Sequence, residues 1–425
     1  MLPPVTREAL RTRFRALRHR NFRLFWTGQL VSLIGTWMQT VAQGWLMHRL
    51  TSSAFMLGLL GFLQFLPVLL FSLWAGVVAD HMDKRRLLLI TQTAFLIQAA
   101  TLAAVVTTGT VRPWMVLALA FVFGIFNAFD LPLRQSFIVE MVGKEDLSNA
   151  IALNSAAFNT ARVLGPAVAG VLVATVGEGG CFWINAVSFV AVIASLTRLD
   201  LPPRATTSSG EVSLSTLTEG IRYALGVRAI RNQLLLLGFA AGLGFQYMVL
   251  LPVYARDILH AGPRAFGLMV STFGVGSLLA AVWLTRKLDR RDLHRNLLIG
   301  LGVAGVGMGV FAWSRTLPLT LAMGFLAGFG LILYVASTNT LLQLTTEDRY
   351  RGRVMSLYTL MFIGTAPFGA LLSGWIAQRF GAPIATSLSA VILLVSALWV
   401  SYRLRRIATR EADRATEPPV TERLG

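Results

Sequence analysis

Two ionisable side chains stand inside one long apolar stretch of the chain. Asp130 and Arg134 lie four residues apart within 113–138, and Asn127 precedes them by one turn. This spacing puts all three on one helical face and lets acid and base pair, although Pro132 lies between them. A carboxyl group in a low-dielectric site takes up a proton more readily, and a nearby cation reverses that effect. Asp130 is therefore the first candidate for reversible proton binding, with a structural ion pair or simple helix anchoring as alternatives.

Arg162 is a second charge far from any polar segment, in the middle of the apolar stretch 150–176. An arginine at the centre of a membrane span costs on the order of 2.5–3.5 kcal/mol on insertion scales, so it normally faces a partner or a cavity. One interpretation pairs it with Asp130 on a neighbouring helix. The other has its guanidinium bind carboxylate, catecholate or phosphate oxygens of an anionic ligand. Asn159 lies near the same face and would extend such a polar site.

A polar stripe runs along the first apolar stretch, 22–47. Its members recur every three or four residues and so share a helical face: Gln29, Ser32, Thr36, Gln39 and Gln43. Such residues can join helices by hydrogen bonds, but three glutamines exceed what packing needs. We therefore expect Gln39 and Gln43 to line a water-filled cavity. Gln246 holds nearly the matching position in a later stretch and is expected to face the same cavity.

The other reactive residue types argue against an enzyme. The histidines lie in loops or near the ends of apolar stretches, without the spacing of metal ligands or of a nucleophile–base pair: His19, His48, His81, His260 and His294. Cys181 is the single cysteine, which excludes an intramolecular disulfide and a thiolate metal cluster. No Gly-rich phosphate loop with its lysine occurs. We expect neither enzymatic activity nor a bound metal or cofactor.

Long apolar segments must position these side chains. About 20 helical residues cross a hydrocarbon core of about 30 Å. Hydrophobic residues make up 55% of the chain and charged residues 14%, unlike an ordinary soluble domain. We predict an all-α polytopic membrane protein with twelve transmembrane helices at 22–47, 54–79, 87–107, 113–138, 150–176, 181–197, 230–254, 265–285, 296–313, 317–343, 354–377 and 383–402.

The charge distribution predicts the orientation. Basic residues number 38 against 20 acidic ones, for a net charge of +18, and they concentrate at both termini and in the even-numbered loops. By the positive-inside rule these segments, including both termini, are cytoplasmic. Topology thus accounts for the charge. Nucleic-acid binding is not expected, because no soluble domain exists to present a groove-reading element.

The longest polar segment between spans divides the chain into two halves. We predict a cytoplasmic basic N-terminus at 1–21, an N-terminal six-helix half at 22–197, a cytoplasmic linker with an amphipathic helix at 198–229, a C-terminal six-helix half at 230–402 and a cytoplasmic tail at 403–425. The segment 149–165 followed by Gly170 has the spacing of 353–369 followed by Gly374. This repetition favours a duplicated unit, typical of secondary transporters, with a substrate site between the halves.

Three motifs carry a family resemblance. Gly76 is followed after three residues by Asp80 and then by the basic run Asp83-Lys84-Arg85-Arg86. This pattern resembles the signature loop of the major facilitator superfamily. The segment Gly165-Pro166-Ala-Val-Ala-Gly170 resembles the Gly-Pro motif of antiporters in that superfamily. The stretches 129–135, 147–155 and 351–357 are similar to the branch that includes siderophore (enterobactin) and macrolide exporters.

The resemblance implies a major facilitator fold of two pseudo-symmetric halves that work by alternating access. It implies that a cytoplasmic gate holds the inner ends together in the outward-open state. Its expected members are Gly76, Asp80, Lys84, Arg85, Asp130 and Arg134. It also implies that the segment 165–170 bends its helix and limits leak through the cavity, although a packing kink would look the same.

The expected function follows from the resemblance together with the buried charges. We expect a monomeric, proton-coupled exporter in a bacterial cytoplasmic (inner) membrane. Its substrate would be a small amphipathic or anionic molecule such as a siderophore or a drug, and the proton gradient would be its energy source. Uptake or facilitated diffusion on the same fold is the first alternative, and a non-transporting sensor or scaffold is the second. The sequence leaves open whether Asp130 moves protons or only holds a gate.

Overall fold

The computed structural model describes residues 14–143, 145–200, 214–284, 286 and 289–416, without the side chains at 73, 76, 77, 79–81, 214–218, 220, 290 and 404–416. Every regular element in these ranges is helical. The predicted gate positions Gly76 and Asp80 fall among the excepted side chains, so those two predictions lie outside what the structure describes.

The first half forms six long helices. They are α1 (Arg20–Thr51), α2 (Ala54–His81), α3 (Lys84–Thr107), α4 (Pro113–Val142), α5 (147–176) and α6 (178–197). The last two form one continuous range, Leu147–Thr197, that turns at Gly177, where φ is +75°. A short 3₁₀ turn, Arg15–Arg18, precedes α1.

Local chemistry explains where these helices begin and end. The Ser53 side chain accepts a hydrogen bond from the Met56 main-chain nitrogen at the start of α2. Asp83 does the same for Arg86 at the start of α3. Both bonds satisfy amide groups that a first helical turn leaves unpaired. Gly143, with φ +68°, ends α4 in a backbone conformation that favours glycine.

The second half repeats the arrangement after a short helix, α7 (Leu214–Gly226). Its six long helices are α8 (Arg228–Ile258), α9 (Gly262–Trp283), α10 (Arg290–Trp313), α11 (Leu317–Thr345), α12 (Asp348–Phe380) and α13 (Ala382–Thr416). Two π-helical turns interrupt α8, at Ala240–Gly244 and Tyr254–Ile258.

Twelve membrane crossings are confirmed within the described ranges. Ten ranges are long and apolar enough to cross a membrane, and one of them is the range divided at Gly177. α1 completes the set with 32 residues, or about 48 Å of helix. It is less apolar because it buries Gln29, Ser32, Gln39 and Gln43. The chain is therefore a multi-pass helical membrane protein.

The predicted amphipathic helix of the linker is present as α7 and packs on the second half. Tyr223 of α7 stacks on Tyr350 of α12, with ring centroids 4.0 Å apart. Arg353 forms an ion pair with Glu219 at 2.8 Å. Ile221 and Leu225 remain exposed on the helix surface, as expected of a helix that lies along a membrane interface.

The halves meet along two helix crossings that repeat each other. In one, α5 crosses α9 at Gly170 and Gly267, and in the other, α12 crosses α2 at Gly374 and Gly58. A Cβ on either Gly267 or Gly374 would lie 2.7 Å from the Cα of the facing glycine. Gly170 and Gly374 are the positions matched in the sequence repeat, so the duplication predicted from spacing is also a duplication of contacts.

The two ends of the bundle differ in how the halves join. We call the end at which α1 begins and α13 finishes the basic end, and the opposite end the far end. At the far end, His48 Nε2 of the first half lies 2.8 Å from Asp257 Oδ2 of the second. Ser53 Oγ donates to Gln378 Oε1 at 2.9 Å, again across the halves.

At the basic end, prominent ion pairs remain within one half. Lys84 of α3 pairs with Glu140 of α4 at 2.9 Å, and Arg353 of α12 pairs with Glu219 of α7, the linker helix that packs on the second half. The far end is thus cross-linked between halves in this structure.

Candidate functional site

A cavity of about 670 Å³ lies between the halves and is lined mainly by the first. α1, α2, α4 and α5 form most of its wall, and α8 and α9 close its far end with residues such as Pro252 and Phe266. Its polar lining residues are Gln29, Thr36, Thr40, Gln64, Asn127, Asp130, Arg134, Gln135, Asn154, Ser155 and Asn159. The volume is that of a site for a drug-sized molecule.

Much of the wall is aromatic. Phe95 of α3 packs between Phe123 and Phe189, with ring centroids 4.9 and 5.5 Å away, and all three line the cavity. Trp37 and Phe158 form a further edge-to-face pair beside them, at 5.9 Å. Such rings offer large apolar contact area at low conformational cost. The wall therefore suits a ligand with a substantial hydrophobic body.

The cavity opens toward the basic end and is closed at the far end. Leu131 and Phe158 line it while 40% and 42% exposed, and Gln135 and Ser155 are exposed at the basic end. At the other end Phe266 is only 4% exposed.

Asp130 sits in the cavity wall within a set of hydrogen-bond donors. It is 2% exposed. Thr91 Oγ1 and Gln92 Nε2, both from α3, donate to Asp130 Oδ1 at 2.8 and 2.7 Å. Arg134 Nε donates to the other oxygen, Oδ2, in an ion pair along α4. The i,i+4 pair forms even though Pro132 lies between its members.

In this arrangement, protonation of Asp130 would change which groups hydrogen-bond to it. An ionised carboxylate only accepts hydrogen bonds, whereas a protonated one must donate one. Proton uptake at Asp130 would therefore displace Thr91, Gln92 or Arg134 from its present contact. Within the described part of the chain, Gln92 Oε1 and Gln29 Oε1 are buried without a hydrogen-bonding partner. Acceptors that lack a donor are thus available close to the carboxyl group and along the cavity wall.

Asn127 and Asn159 line the cavity, as the sequence predicts. Asn159 Nδ2 donates to the Ser155 main-chain oxygen at 2.9 Å. Gln64 also lines the cavity, at a position that was not among the predicted cavity residues. The signal for it was present, because Gln64 is a lone amide in the apolar stretch 55–79.

Gln39 and Gln43 do not line the cavity, contrary to the prediction. Gln39 accepts from Asn185 Nδ2 at 2.7 Å and donates to Gln98 Oε1 at 3.0 Å, between α1, α3 and α6. Gln43 Nε2 lies 3.4 Å from the Val116 main-chain oxygen of α4. Both are at most 5% exposed. Both residues instead join helices of the first half by hydrogen bonds, which was the alternative to lining a cavity.

Arg162 and Gln246 also lie away from the cavity wall. Arg162 Nη2 donates to Ser277 Oγ of α9 at 3.0 Å, across the contact between the halves. Asp130 pairs with Arg134 of its own helix, and the alternative in which Arg162 pairs with Asp130 is not what the structure shows. Gln246 is 8% exposed and donates to the Ala241 main-chain oxygen at 3.0 Å, beside the π-helical turn of α8.

Two predicted gate residues stabilise the basic end of the first half. Lys84 pairs with Glu140, an acid outside the predicted gate. Arg85 donates from Nε to the Leu196 oxygen and from Nη2 to the Thr197 oxygen, both at 2.7 Å. Arg85 thereby caps main-chain oxygens in the last turn of α6, where helical carbonyl groups lack their usual partners. These contacts tie α3 to α4 and α6.

Gly165, Pro166 and Gly170 form the contact faces of α5. A Cβ on Gly165 would lie 2.5 Å from Trp37 Cβ of α1, so α5 approaches α1 closely there. The Pro166 main-chain oxygen and Gly170 face Gly267 of α9. The segment therefore lies between the cavity wall and the second half, where a change in its shape would alter both contacts.

Comparison with known proteins agrees with this architecture. A family model described as transmembrane secretion effector matches residues 11–424. The Staphyloferrin A transporter of Staphylococcus aureus is 26% identical over 361 residues, which cover 84% of this chain and 89% of that protein. The Multidrug efflux pump Tap of Mycolicibacterium fortuitum is 28% identical over 404 residues, covering 90% and 95%. Macrolide efflux protein A of Streptococcus pyogenes is 25% identical over 373 residues, covering 85% and 90%.

Solved structures share the fold at much lower sequence identity. The nucleoside transporter NupG superposes with a TM-score of 0.71 at 13% identity, over 90% of this chain and 98% of that one. An inward-facing, unoccupied bacterial homologue of the lysosomal transporter Spinster gives 0.70 at 14% identity, over 90% and 96%. The twelve-helix bundle and the match over nearly the whole chain lead to one conclusion: the chain belongs to the transmembrane secretion effector family of major facilitator transporters.

Proposed function

We propose that this protein is a proton-coupled exporter of small amphipathic molecules in a bacterial cytoplasmic membrane. The observation that carries the proposal is the cavity, in which an aromatic wall meets a buried carboxylate with exchangeable donors. Relatives named as multidrug and macrolide efflux proteins support the direction of transport.

The orientation follows from charge. The basic end carries most of the Lys and Arg residues in loops, so it faces the cytoplasm under the positive-inside rule. The cavity then opens to the cytoplasm in this structure and the far end faces the outside. An exporter collects its cargo in this inward-open state.

The lining favours an amphipathic substrate over a strongly anionic one. The charges that line the cavity are Asp130 and Arg134, and they pair with each other. Arg162, which would have bound an anion, instead contacts Ser277. Amide groups of Gln64, Asn127 and Asn159 are left to orient a molecule held mainly by the aromatic wall. A siderophore remains a candidate on one observation, the similarity to the Staphyloferrin A transporter.

Asp130 is the proposed coupling residue. When a proton arrives, Arg134 loses its partner and can reach toward the cavity, whereas release of the proton restores the pair. Asp130 and Arg134 then serve both coupling and gating. Lys84 and Arg85 stabilise this part of the first half by connecting α3 to α4 and α6.

Purified protein in proteoliposomes with a trapped pH-sensitive dye tests the proposal. Hydrophobic drugs and siderophores are added under an imposed proton gradient to wild type, to Asp130→Asn and to Glu145→Gln, a control acid exposed in the α4–α5 loop. We expect substrate-evoked proton movement in wild type and the control and none in Asp130→Asn. Substrate flux without a proton signal in wild type would show a facilitator and contradict coupling. A proton signal that survives in Asp130→Asn would contradict the role of Asp130.

A further inference from the structure

A histidine of the first half is held by the second half at the far end. His48, in the last turn of α1, is 1% exposed. Its Nε2 lies 2.8 Å from Asp257 Oδ2 of α8, and Arg256 Nη1 donates to its main-chain oxygen at 3.1 Å. The ring and the backbone of one residue are thus both bound across the boundary between halves.

This contact belongs to a seal of the far end. One turn before His48, Trp45 stacks on Phe266 of α9 with ring centroids 6.1 Å apart, and Phe266 also closes the cavity. The halves cannot part at the far end while His48 and Asp257 remain in contact, so opening toward that side must break this bond.

The charges around the ring come mainly from α8. Asp257 and Arg256 face it directly. The neighbouring cation of α1, Arg49, forms an ion pair at 2.7 Å with Glu178, the first residue of α6. His260 is exposed and contacts the Arg256 main-chain oxygen through Nδ1 at 3.1 Å. The charges that act directly on His48 are therefore those of Asp257, which is half-exposed, and Arg256.

The second ring nitrogen makes the contact sensitive to protonation. Within the described residues, His48 Nδ1 is buried and has no hydrogen-bonding partner. A neutral ring can donate from Nε2 to Asp257 and leave Nδ1 as an unused acceptor, whereas a protonated ring carries a donor on both nitrogens. A buried donor without an acceptor disfavours the closed arrangement by about five- to a hundredfold.

Protonation of His48 also strengthens its attraction to Asp257, but this gain in free energy is smaller than the cost of the unpaired donor at Nδ1. Asp257 is 46% exposed, so solvent screens its attraction to a charged ring, and Arg256 repels that charge. We propose that His48 is a proton-binding site on the far side and that its protonation releases the seal. Acidification there favours the arrangement open to that side. The inference concerns opening alone and holds for any substrate.

Distances between spin labels at the far end test the proposal. The labels are placed at Thr108→Cys and Thr316→Cys, exposed positions in far-end loops of the two halves, with Cys181 replaced by alanine. The protein is measured in nanodiscs without substrate between pH 8 and pH 5. We expect the ratio of separated to closed far ends to rise about tenfold between pH 8 and pH 5, as His48 takes up a proton.

Two variants separate the proposal from a general pH effect. His48→Gln keeps a donor for Asp257 but cannot take a proton, so its distances should not change with pH. His260→Asn removes a nearby histidine at a position with φ +48°, which asparagine tolerates, and should respond like wild type. A wild type that does not respond to pH, or a His48→Gln protein that still does, would overturn the proposal.

A label-free readout covers the case in which the labelled protein fails to fold. Hydrogen–deuterium exchange of segments 45–53 and 254–260 should rise on acidification in unmodified wild type and stay constant in His48→Gln. Equal exchange in both proteins at both pH values would contradict the proposal. Neither readout involves substrate or flux, so failure of the proposed transport function would leave these results unaffected.

Discussion

Gly267 of α9 packs directly on Gly170 of α5. A Cβ on Gly267 would lie 2.7 Å from Gly170 Cα and 2.5 Å from the Pro166 main-chain oxygen, distances that a real side chain does not adopt. The equivalent crossing of α2 and α12 repeats this relationship between Gly58 and Gly374. The separation of the halves is thus set at two crossings where a side chain would hold the backbones apart.

Replacement of Gly267 by valine should disable transport and lower stability. The added atoms meet backbone rather than a flexible side chain, so the crossing must widen, at a cost of about 1–3 kcal/mol. Thermal unfolding in detergent and flux in proteoliposomes would measure both effects. Gly302→Ala is the matched control, since a Cβ there meets nothing within 4 Å. A Gly267→Val protein with wild-type flux would show that the close approach is dispensable.

The donors around Asp130 should be energetically coupled to it. Gln92→Leu leaves the carboxylate without one of its donors, which we expect to cost about 1–3 kcal/mol in the free energy of unfolding. The same change should cost less in an Asp130→Asn background, because hydrogen bonds to a neutral group are weaker. A double-mutant cycle from unfolding measurements gives the coupling. Gln64→Leu, another amide of the cavity wall, should be additive with Asp130→Asn, whereas additivity of Gln92→Leu would disprove the coupling.

Periodicity and hydropathy predicted the helices, but not the neighbour that each helix face meets. Twelve spans, the two halves and the linker helix follow from apolar length and charge. In α1, however, Gln39 of the polar stripe turns toward α3 and α6, whereas Gln29 and Thr36 of the same stripe line the cavity. The cavity lies against an adjacent face, which includes Leu33 and Trp37. A helical pattern fixes which residues share a face, whereas tertiary packing decides where that face points.

The same limit explains Arg162. Its position inside an apolar stretch indicated a partner or a cavity, and the structure shows a hydrogen bond to Ser277, a hydroxyl 115 positions along the chain. The contact between Asp130 and Arg134 could be predicted because the two residues lie one turn apart on the same helix. Local spacing therefore predicted the pair along α4, whereas the hydrogen bonds from Thr91 and Gln92 of α3 required the fold.

Leucine substitutions at Gln39 and at Asn127 should affect different properties of the protein. Gln39→Leu removes the centre of a buried hydrogen-bond network, so we expect a loss of about 1–3 kcal/mol in stability with an unchanged KM for substrate. Asn127→Leu keeps the fold but removes a polar group from the cavity, so KM should change. Unfolding and concentration-dependent flux measured on both variants check this. A changed KM for Gln39→Leu, at full folded fraction, would place Gln39 back in the site.

The start of the described chain should detach in acid. His19 donates a hydrogen bond to Asp146 at 2.8 Å, and Arg15 pairs with the other carboxylate oxygen at 2.8 Å. These contacts lower the pKa of Asp146 below its ordinary value, through the His19 hydrogen bond first and the Arg15 charge second. A lowered pKa means that the attachment is fully present above the ordinary value and is lost as pH falls through the lowered one.

Hydrogen–deuterium exchange of residues 14–19 would detect this release. We expect protection at pH 7 that disappears as the carboxyl group protonates, and Asp146→Asn should show the unprotected pattern already at pH 7. Glu145→Gln, on the neighbouring exposed acid, should behave like wild type. Asn149 also contacts this segment, by accepting a hydrogen bond from the Ala16 main-chain nitrogen at 3.0 Å. Full protection in Asp146→Asn would show that this amide contact alone is sufficient.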